Sequence, residues 1–171
     1  MSEADSLLAL RARIDELDRQ IQTLIAARAR CAQEIGALKQ AAGAGVNLYR
    51  PEREAQVLRR VIEANRGPLS NEEMARLFRE IMSACLALEE PLRIAFLGPE
   101  GTFTQAAALK HFGKSIRSIP LRAIDEVFRE VEAGSADCGV VPVENSTEGV
   151  VNHTLDMFLQ SPLRICGEVQ M

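Results

Sequence analysis

A chain of 171 residues suits one domain or two small ones, and 47% apolar with 26% charged residues describes a folded, mildly acidic protein. A net charge of −4 gives no general reason to bind nucleic acid or an anionic membrane. No apolar run nears the length of a transmembrane helix and no basic-then-apolar leader is visible, so a cytoplasmic protein is expected.

Residues 5–42 read as one very long amphipathic helix. Leu7, Leu10, Ile14, Leu17, Ile21, Leu24, Cys31, Ile35 and Leu38 keep the three-and-four spacing of a single helical stripe. Arg28 stands where that stripe calls for an apolar side chain. A buried cation costs several kcal/mol without a counter-charge, so Arg28 either snorkels to water or meets an anion. Lys39 lies about 16 Å further along nearly the same face, and two such basic arms can bracket a small dianion. Arg11 is about 25 Å from Arg28 and roughly 100° round the helix, within reach of the same ligand only from an antiparallel partner.

A Gly-rich loop at 43–51 ends at Pro51, the first residue of a second helix whose inward set is Ala55, Val57, Leu58, Val61 and Ile62. That helix stops at Asn65, Arg66, Gly67 and Pro68. A third begins with a capping box, Ser70 and Glu73, and with Leu69 and Met74 at staple positions. Met74, Leu77, Phe78, Ile81, Met82, Cys85 and Leu88 form its buried face. Two short helices cannot cover one of nearly forty residues, which predicts a homodimer through the long helix.

From Arg93 strands and helices alternate, as in a parallel α/β layer. Strands are expected at 93–98, 116–120, 136–143 and 163–171. Helices follow the turn GPEGTFT, then at 123–134 and 150–160, and ENSTEG is a loop. The domains are therefore 1–91 and 92–171, and the second is small for its class and looks unfinished. Cys31, Cys85, Cys138 and Cys166 have no paired spacing, and are expected as four buried thiols. No metal or cofactor site is expected.

In GPEGTFT, backbone N–H groups and threonine hydroxyls can hold a carboxylate at a helix N-terminus. PVENSTEG places Glu144, Asn145, Ser146 and Thr147 just after a buried strand, at the carboxyl end where parallel sheets bind ligands. His111 and His153 are isolated and suit surface or capping roles. In the helical part Arg53, Glu54 and Glu89 are further candidates, against the plain readings of solvated surface and helix-dipole complement.

Residues 7–90, through LLALRARIDELD, Arg28, GALK ending at Lys39, RPERE and the RLF of the third helix, resemble the all-helical chorismate mutase domain. Residues 93–171 resemble the first half of prephenate dehydratase, through IAFLGPEGTFTQAAA and VVPVENSTEGVVNHTLD. Their order resembles the bifunctional family of phenylalanine biosynthesis. The resemblance implies an intertwined helical dimer followed by an incomplete, periplasmic-binding-protein-like lobe. It implies Arg28, Lys39, Glu54 and Glu89 as catalytic groups, with Arg11 supplied by the partner and Arg53 completing the mutase site. Arg50 and Cys85 take family contact positions, where some relatives carry aspartate and serine, and glutamine often stands at the place of Glu89. Glu144, Asn145 and Ser146 match the dehydratase substrate loop. The dehydratase's Thr-Arg-Phe motif is not in this sequence, so dehydration of prephenate by the chain alone is not expected.

The competing reading is a non-catalytic helical dimerisation module fused to a small-molecule-binding lobe, which has no use for Arg28. A basic helix for nucleic acid fails because Asp15, Glu16, Asp18 and Glu34 interrupt the cations.

Overall fold

The computed structural model describes residues 3–41, 49–146 and 149–171. The Gly-rich segment 43–48 and Thr147 lie outside them. The chain divides into two compact units, Met1–Val46 and Asn47–Met171.

The first unit is the helix α1, Glu3–Ala41. Local pairs support its polar side. Glu16 holds Arg19 at 2.6 Å and accepts from Gln20 at 3.1 Å, while Lys39 complements the dipole in the last turn. Its apolar stripe is open to solvent, from Leu10 at 58% and Ile14 at 57% to Leu38 at 71% exposure.

The second unit opens with α2, Pro51–Ala64. Proline at its first position has no N–H to leave unpaired, and Arg53 and Glu54 both donate their amides to the Arg50 carbonyl. The helix ends at Asn65, whose side-chain amide donates to the Leu69 carbonyl and to Asn71, both at 2.9 Å. Of the expected inward set, Val57, Leu58 and Val61 are partly buried, but Ala55 and Ile62 are exposed. The covered face runs instead through Glu54, Val57, Leu58, Val61 and Asn65.

Helix α3, Asn71–Leu86, is capped by Ser70, whose hydroxyl accepts from the Glu73 amide at 3.1 Å. The reciprocal half of the capping box is not made. The Glu73 carboxylate takes the Arg76 guanidinium at 2.6 Å instead, a stronger charge-assisted partner on the same exposed face.

Strands β1 (Arg93–Leu97), β2 (Arg117–Leu121) and β3 (Cys138–Val140) form a parallel sheet in the order β2-β1-β3. Helix α4 (Phe103–Phe112) links β1 to β2, and α5 (Ile124–Glu132) links β2 to β3. Central β1 is buried on both faces, which explains its unbroken apolar run. Ile94 packs with Ala108 and Phe112 on one side, while Ala95 packs with Val127 and Ala136 on the other. Arg93 grips Asp137 with its backbone N–H and its guanidinium, both at 2.8 Å, aligning the starts of β1 and β3. The expected alternation of strand and helix is thus present, with β3 shorter than the sequence suggested.

Three expectations are corrected. ENSTEG is more than a loop: β4 (Glu144–Asn145) and β5 (Gly149–Val150) pair antiparallel, with Gly149 at φ 77. Helix α6, Asn152–Gln160, follows, and its buried Thr154 donates to the Pro142 carbonyl at 2.7 Å. The last stretch, 163–171, forms no strand. Its period of two needs a paired neighbour, and the segment runs beside α4 instead, where Lys110 Nζ donates to the Gln170 carbonyl at 2.7 Å. Finally, of the four thiols only Cys85 is buried; Cys138 is partly buried, and Cys31 and Cys166 are exposed.

Candidate active site

The candidate residues fall on both units. Arg11, Arg28 and Lys39 all lie on α1, so their separations along it are those of a regular helix.

In the second unit, Arg50 precedes α2, and Arg50 and Arg53 are exposed. Glu54 is not solvated surface. It faces the Arg79 guanidinium of α3 at 3.5 Å and the Tyr49 hydroxyl, with its side chain 18% exposed. Burial pushes its carboxyl above the usual range, against the opposing pull of Arg79 and Tyr49. The Arg79 Nε lies at ion-pair distance but makes no hydrogen bond among the described residues. The Tyr49 hydroxyl also sits 3.4 Å from His111 Nε2, and its ring meets Phe112 edge-on at 5.3 Å. Burial, then the charge of Glu54, pushes the Tyr49 phenol upward. His111 is therefore no isolated surface residue. It joins α4 to the start of α2, and burial, then Arg79, lowers its pKa.

Cys85 is 3% exposed inside α3. Glu89 lies one turn on, just past the helix end, and donates its amide to the Leu86 carbonyl at 3.0 Å. One oxygen of its carboxylate is buried and has no hydrogen-bond partner among the described residues. A buried acceptor without a donor costs about 1–3 kcal/mol.

In the α/β part, two loops share the carboxyl edge of the sheet, because β1 and β3 are parallel with Phe96 opposite Val140. The first is GPEGTFT. Its Thr102 hydroxyl donates to the Pro99 carbonyl at 2.9 Å and accepts from the Gln105 amide, and the Gly101 N–H donates to Gln105 Oε1 at 2.6 Å. That hydroxyl and that amide therefore cap α4. Gly98 is required for close approach, since a Cβ would stand 3.0 Å from Pro120 Cβ and 3.2 Å from the Leu121 carbonyl oxygen. The second is the segment of β4 and Ser146, where Glu144, Asn145 and Ser146 are exposed to solvent. Exposed His153 lies at the start of α6.

Sequence reasoning missed Tyr49, Arg79 and His111, which meet only through packing of α2, α3 and α4. Among the described residues no three His, Cys, Asp or Glu side chains gather as a metal site, and no helix is long and apolar enough to cross a membrane.

Compared with known families, residues 10–90 match the model of chorismate mutase type II and residues 94–171 that of prephenate dehydratase. The chain belongs to these two families, joined in tandem. Curated relatives carry the same pair: a bifunctional chorismate mutase/prephenate dehydratase of Stutzerimonas stutzeri is 67% identical over 174 residues, covering 100% of this chain and 48% of the relative. The protein of that name from Pseudomonas aeruginosa is 63% identical with the same coverage. The chain thus spans about half the length of the curated relatives it matches. Among solved structures, a chorismate mutase (form II) from Thermus thermophilus is 39% identical, covering 50% of this chain and 94% of its own, with a TM-score of 0.47.

Proposed function

We propose that the helical part of the chain rearranges chorismate to prephenate as a homodimer, and that the α/β part belongs to a prephenate dehydratase lobe of binding-protein-like architecture. The observation that carries this reading is the tandem match, mutase then dehydratase, with relatives that bear both names along the whole chain. The geometry supports it in three places. Arg28 interrupts an apolar stripe that is otherwise suited to a helical partner, Glu89 keeps a buried oxygen without a hydrogen-bond partner among the described residues, and Glu144, Asn145 and Ser146 stand at the carboxyl edge of the sheet.

The mutase reaction is an intramolecular [3,3] rearrangement that needs no nucleophile. The protein must hold a compact conformer and stabilise negative charge growing on the ether oxygen, which orientation and fixed donors accomplish. In this reading Arg28 and the partner subunit's Arg11 grip the two carboxylates. Lys39 and Glu89 face the ether oxygen, Glu54 and Lys39 hold the ring hydroxyl, and Arg53 closes the site. Arg50 and Cys85 border it, and residues 1–91 and 92–171 are the two functional domains.

The test is complementation. Arg11→Ala and Arg28→Ala homodimers should each lose about 10²–10³-fold in chorismate consumption, followed by ultraviolet absorbance. Mixed and refolded together, they should regain activity, because one site of each heterodimer keeps both arginines. Heterodimers that form yet stay inactive would remove the shared site.

A further inference from the structure

Among the ion pairs of the described residues, Glu54 with Arg79 is the most covered, its side chains 18% and 26% exposed. The pairs Glu16–Arg19, Glu73–Arg76 and Asp125–Arg129 each lie along one helix, where water screens them. Glu54 and Arg79 instead join α2 to α3, with Arg79 Nε 3.5 Å from Glu54 Oε1. Of the carboxylates on α2, Glu52 and Glu63 are exposed, and only Glu54 belongs to the covered face.

Arg79 is supported from behind by the end of α4. A Cβ on Gly113 would stand 2.5 Å from Ser83 Cβ and 3.5 Å from the Arg79 carbonyl oxygen, and the Glu80 carboxylate accepts from the Lys114 amide at 3.1 Å. The backbone that carries the guanidinium is therefore fixed. Its buried Nε makes no hydrogen bond among the described residues and has Glu54 at ion-pair distance.

We propose that Arg79 is a positioning residue for the mutase reaction, keeping the Glu54 carboxylate ionised and in place to accept a hydrogen bond from the ring hydroxyl of the substrate. The proposal rests on the role given to Glu54 above. A carboxyl group taken out of water favours its neutral form, and a cation within about 4–6 Å opposes this by about 1–3 pH units. Burial pushes Glu54 above the usual carboxylate range, and Arg79 is the largest influence pulling it back, ahead of the Tyr49 hydroxyl. His111 on α4, kept below its ordinary pKa by burial and then by Arg79, brings no competing charge at neutral pH. Arg50 and Arg53, at the start of α2, are exposed. Ionised, Glu54 accepts at both oxygens through charge-assisted bonds, whereas protonation turns one oxygen into a donor. Arg79 does this without touching the substrate.

The experiment measures kcat/KM for chorismate against pH on the 171-residue chain. The variants are Arg79→Gln, Arg79→Met, Arg79→Lys, Glu54→Gln, and Arg79→Gln combined with Glu54→Gln. Both uncharged replacements of Arg79 should move the acid limb of the profile upward by about one pH unit or more. Arg79→Lys keeps the cation and should leave that limb near its parent position. Glu54→Gln should lower kcat/KM by about tenfold or more and abolish the limb. In the Glu54→Gln background, Arg79→Gln should change neither rate nor profile, because no carboxylate is left to hold. An unmoved limb in the uncharged variants, an equal displacement in Arg79→Lys, or a further loss added to Glu54→Gln would each overturn the proposal. Parent-like activity of Glu54→Gln would instead remove Glu54 from the site, and the role of Arg79 with it.

Discussion

Tyr49, Glu54, Arg79 and His111 form a polar cluster where α2, α3 and α4 meet, and burial shifts Glu54 and His111 in opposite directions. His111 is held neutral: its pKa in the fold lies below the ordinary 6.5, by burial first and then by Arg79. The stability it contributes is present above pH 6.5 and is lost as pH falls through the folded value. Glu54 is raised above 4.5, so its proton-linked stability is present below 4.5 and lost as pH rises through the folded value. A His111→Gln variant keeps a polar group beside Tyr49 but cannot titrate. Its urea midpoint should fall less than the parent's between pH 7 and pH 5, and parallel pH curves would show that His111 carries none of the acid-side loss. The sequence read His111 as isolated and did not mark Tyr49, because no local pattern joins two residues 62 positions apart.

At the scale of elements, the junction of α3 with α4 rests on one glycine. Gly113 ends α4 at φ 79 and ψ −178, a conformation open essentially to glycine alone, and a Cβ there would lie 2.5 Å from Ser83 Cβ. The neighbouring Lys114 amide donates to Glu80 at 3.1 Å, so the backbone cannot easily move aside. Gly113→Ala therefore combines backbone strain with overpacking and should cost about 3 kcal/mol, measured by urea unfolding. A cost under about 1 kcal/mol would mean that the helices separate without penalty. The helix starts at Pro51 and Ser70 were readable because caps and prolines act within one turn. The strand expected at 163–171 failed because pairing is a property of two segments, and periodicity reports only one.

For the whole molecule, Arg28 separates the two readings of the long helix. A dimerisation module gains from an unbroken stripe, whereas a mutase loses its carboxylate grip. On the proposed function, Arg28→Leu should therefore keep or raise the melting temperature while lowering chorismate turnover by about 10²-fold or more. Retained turnover would place Arg28 outside the site; loss of the dimer, measured by sedimentation, would give it a structural role instead.

What the sequence determined alone was whatever rests on neighbours along the chain. The three-and-four stripe on α1, the cap at Ser70, the proline at Pro51 and the alternation of strand and helix after Arg93 all follow from local periodicity and backbone restriction. The motifs around GPEGTFT and PVENSTEG belong here too, since contiguous residues carry them. Tertiary structure alone decided which side chains meet across distance. It put Glu54 against Arg79 and Tyr49, left one oxygen of Glu89 buried without a hydrogen-bond partner among the described residues, and paired Glu144–Asn145 with Gly149–Val150. Each depends on how β1 seats α4 and α5 and how α3 closes on Gly113, and those long-range contacts are chosen by packing rather than by any single stretch of chain.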